Sequence, residues 1–239
     1  MNLSLRPFAC WLALVLGAAA LPLAAQTPVQ PESQPAASPE PSEAERLVFM
    51  QTPLAAMKPP QRLVYLYRHE GSAVKEPVDD QAVLELLPDS AGACCDVRAA
   101  FLSGPRKLQL PLIEQARGNP IVLFFLEREV RRLNEQTKGS ANHFRKRIRL
   151  ALVDQATVTP RSFRFGGQQV AGSEVRVQPF LLDPNRPRYE RLAQTEYVFL
   201  LSPQVPGEVL EIRTTLPGAT PGAPPESVER LTLQPSAAP

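Results

Sequence analysis

The sequence predicts an α+β domain: a curved antiparallel β-sheet with a central αα-hairpin packed on one face. Three observations carry that fold class. Apolar residues alternate with period two in the first part of the chain, switch to helical spacing in the middle, and return to period two afterwards. Proline and glycine punctuate the alternating parts far more than the helical one. The 44% hydrophobic and 21% charged residues are those of a globular protein and exclude wholesale disorder.

The chain opens with a single cation, Arg6, followed by an unbroken apolar run over residues 8–25 (FACWLALVLGAAALPLAA). A charged start, an apolar middle, a helix-breaking Pro22 and small Ala24 and Ala25 form the layout of a cleaved export signal, so residues 1–25 are predicted to be a signal peptide. Cys10 does not suit lipid attachment, because the apolar run follows it. Cleavage after Ala25 would leave no tryptophan, two cysteines and no transmembrane segment, in a periplasmic or secreted protein. Residues 26–45 hold five prolines among Ser, Gln and Glu, and read as a solvated Pro-rich tether with too little apolar surface to offset its ordering entropy.

Residues 46–216 are expected to form a single domain. Within it, residues 63–67 (LVYLY), 82–87 (AVLELL), 97–102 and 107–113 read as four strands, the last placing Leu108, Leu110 and Leu112 on one face. At Asn119–Pro120 an N-cap residue precedes a proline suited to the first helical position. Leu123, Leu126, Val130 and Leu133 follow at helical spacing, widened by Val122 and Phe125. Gly139 is placed to stop this helix and Ser140 to cap a second one, whose apolar face is Phe144, Ile148, Ala151 and Leu152 and whose end is expected at Pro160. The hairpin is thus predicted over residues 119 to about 156. Beyond it, Gly166–Gly167 reads as a tight turn between strands, and residues 194–201 and 208–214 flank a Pro/Gly reversal. Residues 217–239 are expected to be a Pro/Gly-rich tail, within which VERLTL (228–233) can add one short strand.

Function is less legible. A net charge of +2 is too small to make the whole chain a nucleic-acid binder. Locally, Arg128, Arg131, Arg132, Lys138, Arg145, Lys146, Arg147 and Arg149 face only Glu127, Glu129 and Glu135, an excess of +5 across the two helices. Arg128, Arg131, Arg132, Arg145, Lys146 and Arg149 are therefore the candidate binding face, for an anionic lipid, another anionic envelope component or an envelope protein partner. Export removes nucleic acid from that set. The plain alternative is a solvated helix face laced with ion pairs.

Cys94 and Cys95 are candidates for a disulfide, either with each other or between molecules, and less readily for a redox pair, since no CxxC spacing is present. His69, His143, Met50 and Met57 share no ligand spacing with them, so no metal or cofactor is expected. Asp79–Asp80 sits in a turn-like stretch, and the chain contains no GxSxG, HExxH, P-loop or dinucleotide fingerprint. The expected function is that of an exported, non-catalytic binding, carrier or envelope-maintenance module, with an apolar groove lined by Leu123, Phe124, Phe125 and Phe144. The alternatives are a scaffold docking partners through its Pro-rich ends, and a thiol-redox protein using Cys94–Cys95. In organisation the chain is similar to the carrier proteins that move lipoproteins across the periplasm, in which a curved antiparallel sheet cups a helical plug. No motif is shared, so the likeness assigns no residue.

Overall fold

The computed structural model describes residues 40–235 except 91 and 93. The predicted signal peptide and residues 26–39 of the predicted tether lie outside the described residues. Eight strands form one open antiparallel sheet: β1 (Gln61–Glu70), β2 (Val78–Pro88), β3 (Cys94–Phe101), β4 (Thr157–Phe165), β5 (Gln168–Val177), β6 (Glu196–Leu201), β7 (Val209–Leu216) and β8 (Ser227–Leu233), in the order β3-β2-β1-β8-β7-β6-β5-β4. The chain walks outward from β1 to one edge at β3. It then crosses to the opposite edge through α2 (Ile121–Thr137) and α3 (Ala141–Asp154) and walks back from β4 until β8 lands beside β1. A short α1 (Glu43–Glu45), continued by a π-helical turn at Arg46–Met50, precedes the sheet.

The predicted α+β class is the one observed, with one layer of core between the sheet and the helical pair. On the covered face of the sheet lie Leu63, Tyr65 and Tyr67 of β1, Leu84 and Leu86 of β2, Val97 and Phe101 of β3, Tyr197 and Phe199 of β6, Ile212 of β7 and Leu231 of β8, all buried. Each fully buried aliphatic or phenyl side chain contributes about 1.5–3 kcal/mol. The other face carries alternating charge, for example Arg176 between Glu174 and Glu196, and Arg213 beside Glu211.

The hairpin starts as its sequence predicts. Asn119 Oδ1 accepts the Ile121 N–H at 3.1 Å, and its amide donates to the Tyr65 hydroxyl and the Gly207 carbonyl, both at 2.8 Å. One side chain therefore caps α2, anchors it to β1 and ties down the turn between β6 and β7. Phe144, Ile148, Ala151 and Leu152 of α3 are buried as expected. On α2, Leu123 instead stands outward at 60% exposure while Phe124 is buried edge-on against Phe101. The hairpin turn also differs. Lys138, not Gly139, takes the left-handed conformation (φ 56°), and a Cβ on Gly139 would lie 2.7 Å from the Phe144 ring. Ser140 occupies the N-cap position of α3 without a capping side-chain bond.

Four expectations need correction. The strand expected at 107–113 is an irregular cover along β3, bridged only at Phe101–Leu108 and Val97–Ile113. Pro105 and Pro111 have no N–H to donate, so no continuous ladder forms, and Leu112 is exposed. Pro160 does not follow a helix directly but sits in β4, at the sheet edge where a missing donor is tolerated. The C-terminal boundary at 216 falls short: 217–225 is a loop inside the sheet, and β8 fills the slot between β7 and β1. Finally, order begins inside the expected tether. Ser42 and Glu45 form a reciprocal capping box, Ala44 is buried, and Ser42 Oγ donates to the Leu152 carbonyl at 3.0 Å.

Candidate functional site

The six candidate cations divide between the interior and the surface. Arg128 and Arg132 project from α2 toward the sheet, where their side chains are only 12% and 24% exposed. Arg128 donates to Glu229 on β8, to Glu129 at 3.1 Å and to the Tyr67 hydroxyl at 2.9 Å, with its guanidinium 5.1 Å from the Tyr67 ring centre. Arg132 donates to Glu129 at 2.7 Å and lies 3.9 Å from Glu229. Tyr67 also donates to Glu229 at 2.9 Å. The Tyr197 hydroxyl reaches Glu129 at 3.4 Å.

Two arginines and two glutamates thus neutralise one another beneath α2. Burial alone would raise the Glu229 carboxyl, but Arg128 and Arg132 hold it below the usual carboxylate range. Burial likewise pushes the Tyr67 and Tyr197 hydroxyls upward, and the carboxylates beside them push in the same direction. These groups are fixed as ions and phenols and hold helix to sheet.

The remaining four cations are exposed. Arg145 on α3 clamps Glu127 on α2 with two hydrogen bonds, at 2.8 and 3.0 Å, and Arg131 reaches the same carboxylate at 3.4 Å. Those bonds depress the Glu127 carboxyl, the Arg145 contact being the larger cause. Arg149 stands 3.8 Å from Glu45 with 78% of its side chain exposed. Lys146 is exposed and has no ion-pair partner among the described residues. The face predicted as one patch is therefore an outward set, Arg131, Arg145, Lys146 and Arg149, and a buried pair that is already occupied.

The other sequence candidates resolve as follows. Cys94 and Cys95 pair with each other at the start of β3, with Cys95 fully buried. Phe124, Phe125 and Phe144 are packed in the core while Leu123 points to solvent, so these four line no common groove. Asp80 is tied down by Ser103 and Arg106 at one end of β2. His69 Nε2 lies 2.9 Å from Ser227 Oγ, and burial pulls its imidazole down. Among the described residues no three His, Cys, Asp or Glu side chains gather as a metal-binding group.

One cluster was not anticipated. Asp183, buried in the loop before β6, lies 2.6 Å from His143 Nε2, 3.6 Å from Arg147 Nε, and accepts the Tyr189 hydroxyl and the Asn185 N–H. Burial acts to raise the Asp183 carboxyl, but the Tyr189, Asn185 and His143 hydrogen bonds keep it low. Above it, Phe144 meets Phe180 and Tyr189 edge-on, with centroids at 5.7 and 5.8 Å. A pocket of about 160 Å³ opens beside this cluster, lined by Ser140, His143, Asn185, Arg188 and Tyr189 among others. The cluster locks α3 onto the loop. Its signal in the sequence is weak, because Asp183 and His143 lie 40 residues apart.

No helix among the described residues is long and apolar enough to cross a membrane. No family model matches the chain, and no curated protein does. Among solved structures, it is similar to a chain of the complex of Pseudomonas aeruginosa MucA and MucB, with 14% identity and a TM-score of 0.32. That alignment covers 83% of this chain and 59% of the other, so the chain spans about three-fifths of the length of the protein it matches.

Proposed function

We propose that this protein is an exported, non-catalytic binding module that docks on an anionic component of the cell envelope through the outward face of α3. The observation that supports this reading is the division of the cations. Arg128 and Arg132 are consumed in the interior, whereas Lys146 and Arg149 stand free or nearly so on a helix whose other face is anchored in the core. A cation held near an anionic leaflet contributes about 1 kcal/mol. Arg145, Lys146 and Arg149 together would supply about 3 kcal/mol, enough for weak, salt-sensitive docking.

The test is co-sedimentation of the full chain with vesicles of phosphatidylglycerol in phosphatidylcholine, against phosphatidylcholine alone, across a salt series. The expected result is binding to the anionic vesicles only, weakening steadily as salt shortens the Debye length. Equal binding to both compositions, or to neither, contradicts the proposal.

A further inference from the structure

We infer that the outward ridge of α3 seats on an anionic phospholipid bilayer by placing Leu150 and Val153 in the interface; this rests on the docking role proposed above and goes further in naming the occupant and the mode. Asn142, Lys146, Arg149, Leu150 and Val153 follow one another at helical spacing along the side of α3 opposite Phe144, Ile148, Ala151 and Leu152. Leu150 and Val153 keep 36% and 38% of their surface in water, although a polar side chain at either place would cost the fold little.

Each stands four residues after a cation, Lys146 before Leu150 and Arg149 before Val153, so each apolar side chain has a long basic one beside it on the helix surface. Long basic side chains lay their methylenes along an apolar surface and carry the charge to the phosphate level. The ridge thereby has both parts of an interfacial helix: aliphatic groups to enter the acyl boundary and cations to meet the headgroups.

Charge and shape choose the occupant. The nearest acids are Glu45, turned toward Arg149 with a 14% exposed side chain, and Asp154 at the helix end, so the ridge itself stays positive. A helix ridge is convex, whereas bound peptides need a groove or a free strand edge. A bilayer surface yields to a ridge. Phe49 and Met50, also exposed at the end of the π-helical turn that continues α1, lie on the segment whose first turn packs on α3 through Ser42 and Leu152.

The experiment uses the full chain carrying Leu150→Trp, with Leu66→Trp on the uncovered face of the sheet as the control and the parent, with Trp11, as baseline. Vesicles of phosphatidylglycerol with brominated acyl chains report contact with the bilayer interior. Leu150→Trp is expected to shift to the blue and lose at least about a third of its fluorescence, as suits a group at the acyl boundary, while Leu66→Trp changes in neither respect. A companion variant, Leu150→Asp/Val153→Asp, is expected to keep binding at low salt but weaken about tenfold or more near 0.5 M salt, where screening removes most of the electrostatic share. Vesicle binding without a shift or quench at position 150 overturns the insertion and leaves the docking role intact. Failure of every form to bind vesicles overturns both, and binding to poly-glutamate in place of vesicles assigns the ridge to an acidic protein and overturns the bilayer.

Discussion

Replacing Glu229 by Gln tests whether the charges under α2 were read correctly. Glu229 is 2% exposed and takes hydrogen bonds from Arg128 and Tyr67, while Arg132 stands 3.9 Å away. In the parent, Arg128 and Arg132 balance Glu129 and Glu229. The amide keeps the shape but leaves two cations facing one anion in a region closed to water. Removing one partner from a buried ion pair costs about 3–5 kcal/mol, against a total stability of about 5–15 kcal/mol for an ordinary domain.

Equilibrium urea unfolding followed by circular dichroism measures the loss. Glu229→Gln is expected to destabilise by about 3 kcal/mol or more. The double variant Glu229→Gln/Arg128→Met, neutral again, should fall short of the sum of the singles by at least about 1 kcal/mol. The acid limb supplies a second reading. Because the folded Glu229 carboxyl is held below its ordinary value, its contribution is complete above about pH 4.3 and is lost as pH falls through the lower, folded value. Glu229→Gln should therefore flatten the fall in stability below about pH 4.5. A cost under about 1 kcal/mol, with an unchanged acid limb, would refute the claim that this carboxylate is a buried, paired ion.

Three other outcomes follow from the packing. Asn119→Ala removes the cap of α2 and the donors to Tyr65 and Gly207, and is expected to cost about 2–3 kcal/mol in the same unfolding measurement; Asn119→Asp, which keeps the capping oxygen, should cost less. Gly172→Ala on β5 would push a methyl into the Leu201 carbonyl and to 3.0 Å from the Phe163 ring, lowering stability by about 1–3 kcal/mol; a neutral result would contradict the close approach of β5 and β6. Truncation after residue 225 takes β8 from between β1 and β7. It should abolish cooperative unfolding, because the β1–β3 and β4–β7 halves of the sheet then share no strand pair; a folded truncated chain would contradict the topology.

Local signals read well and distant ones did not. Asn119, the apolar residues of α3 and the Gly166–Gly167 turn each declare themselves within a few residues, and the structure has them in those roles. The position of β8 depends instead on a partner strand more than 150 residues earlier, and the proline-rich loop before it resembles the start of a tail. The interior carboxylates had a signal that went unused. Glu129 stands in phase with Phe125 and Leu133 on α2, and Glu229 in phase with Leu231 and Leu233 on β8. A charge at an apolar phase of a regular element marks a buried ion whose partner must come from elsewhere in the chain. Read that way, Arg128 and Arg132 separate from the exposed cations, since they flank Glu129 on the same helix.

The central claim is that the outward cations of α3 bind and the inward ones of α2 hold the fold. The most direct measurement is the apparent dissociation constant for phosphatidylglycerol-containing vesicles of Arg145→Glu/Lys146→Glu/Arg149→Glu beside the parent, each with its unfolding midpoint. Three charge reversals are expected to weaken binding by about 100-fold or more, while the midpoint moves by no more than a few degrees, Arg145 losing only an exposed ion pair with Glu127. Vesicle binding equal to the parent's, in a variant that folds normally, would contradict the account.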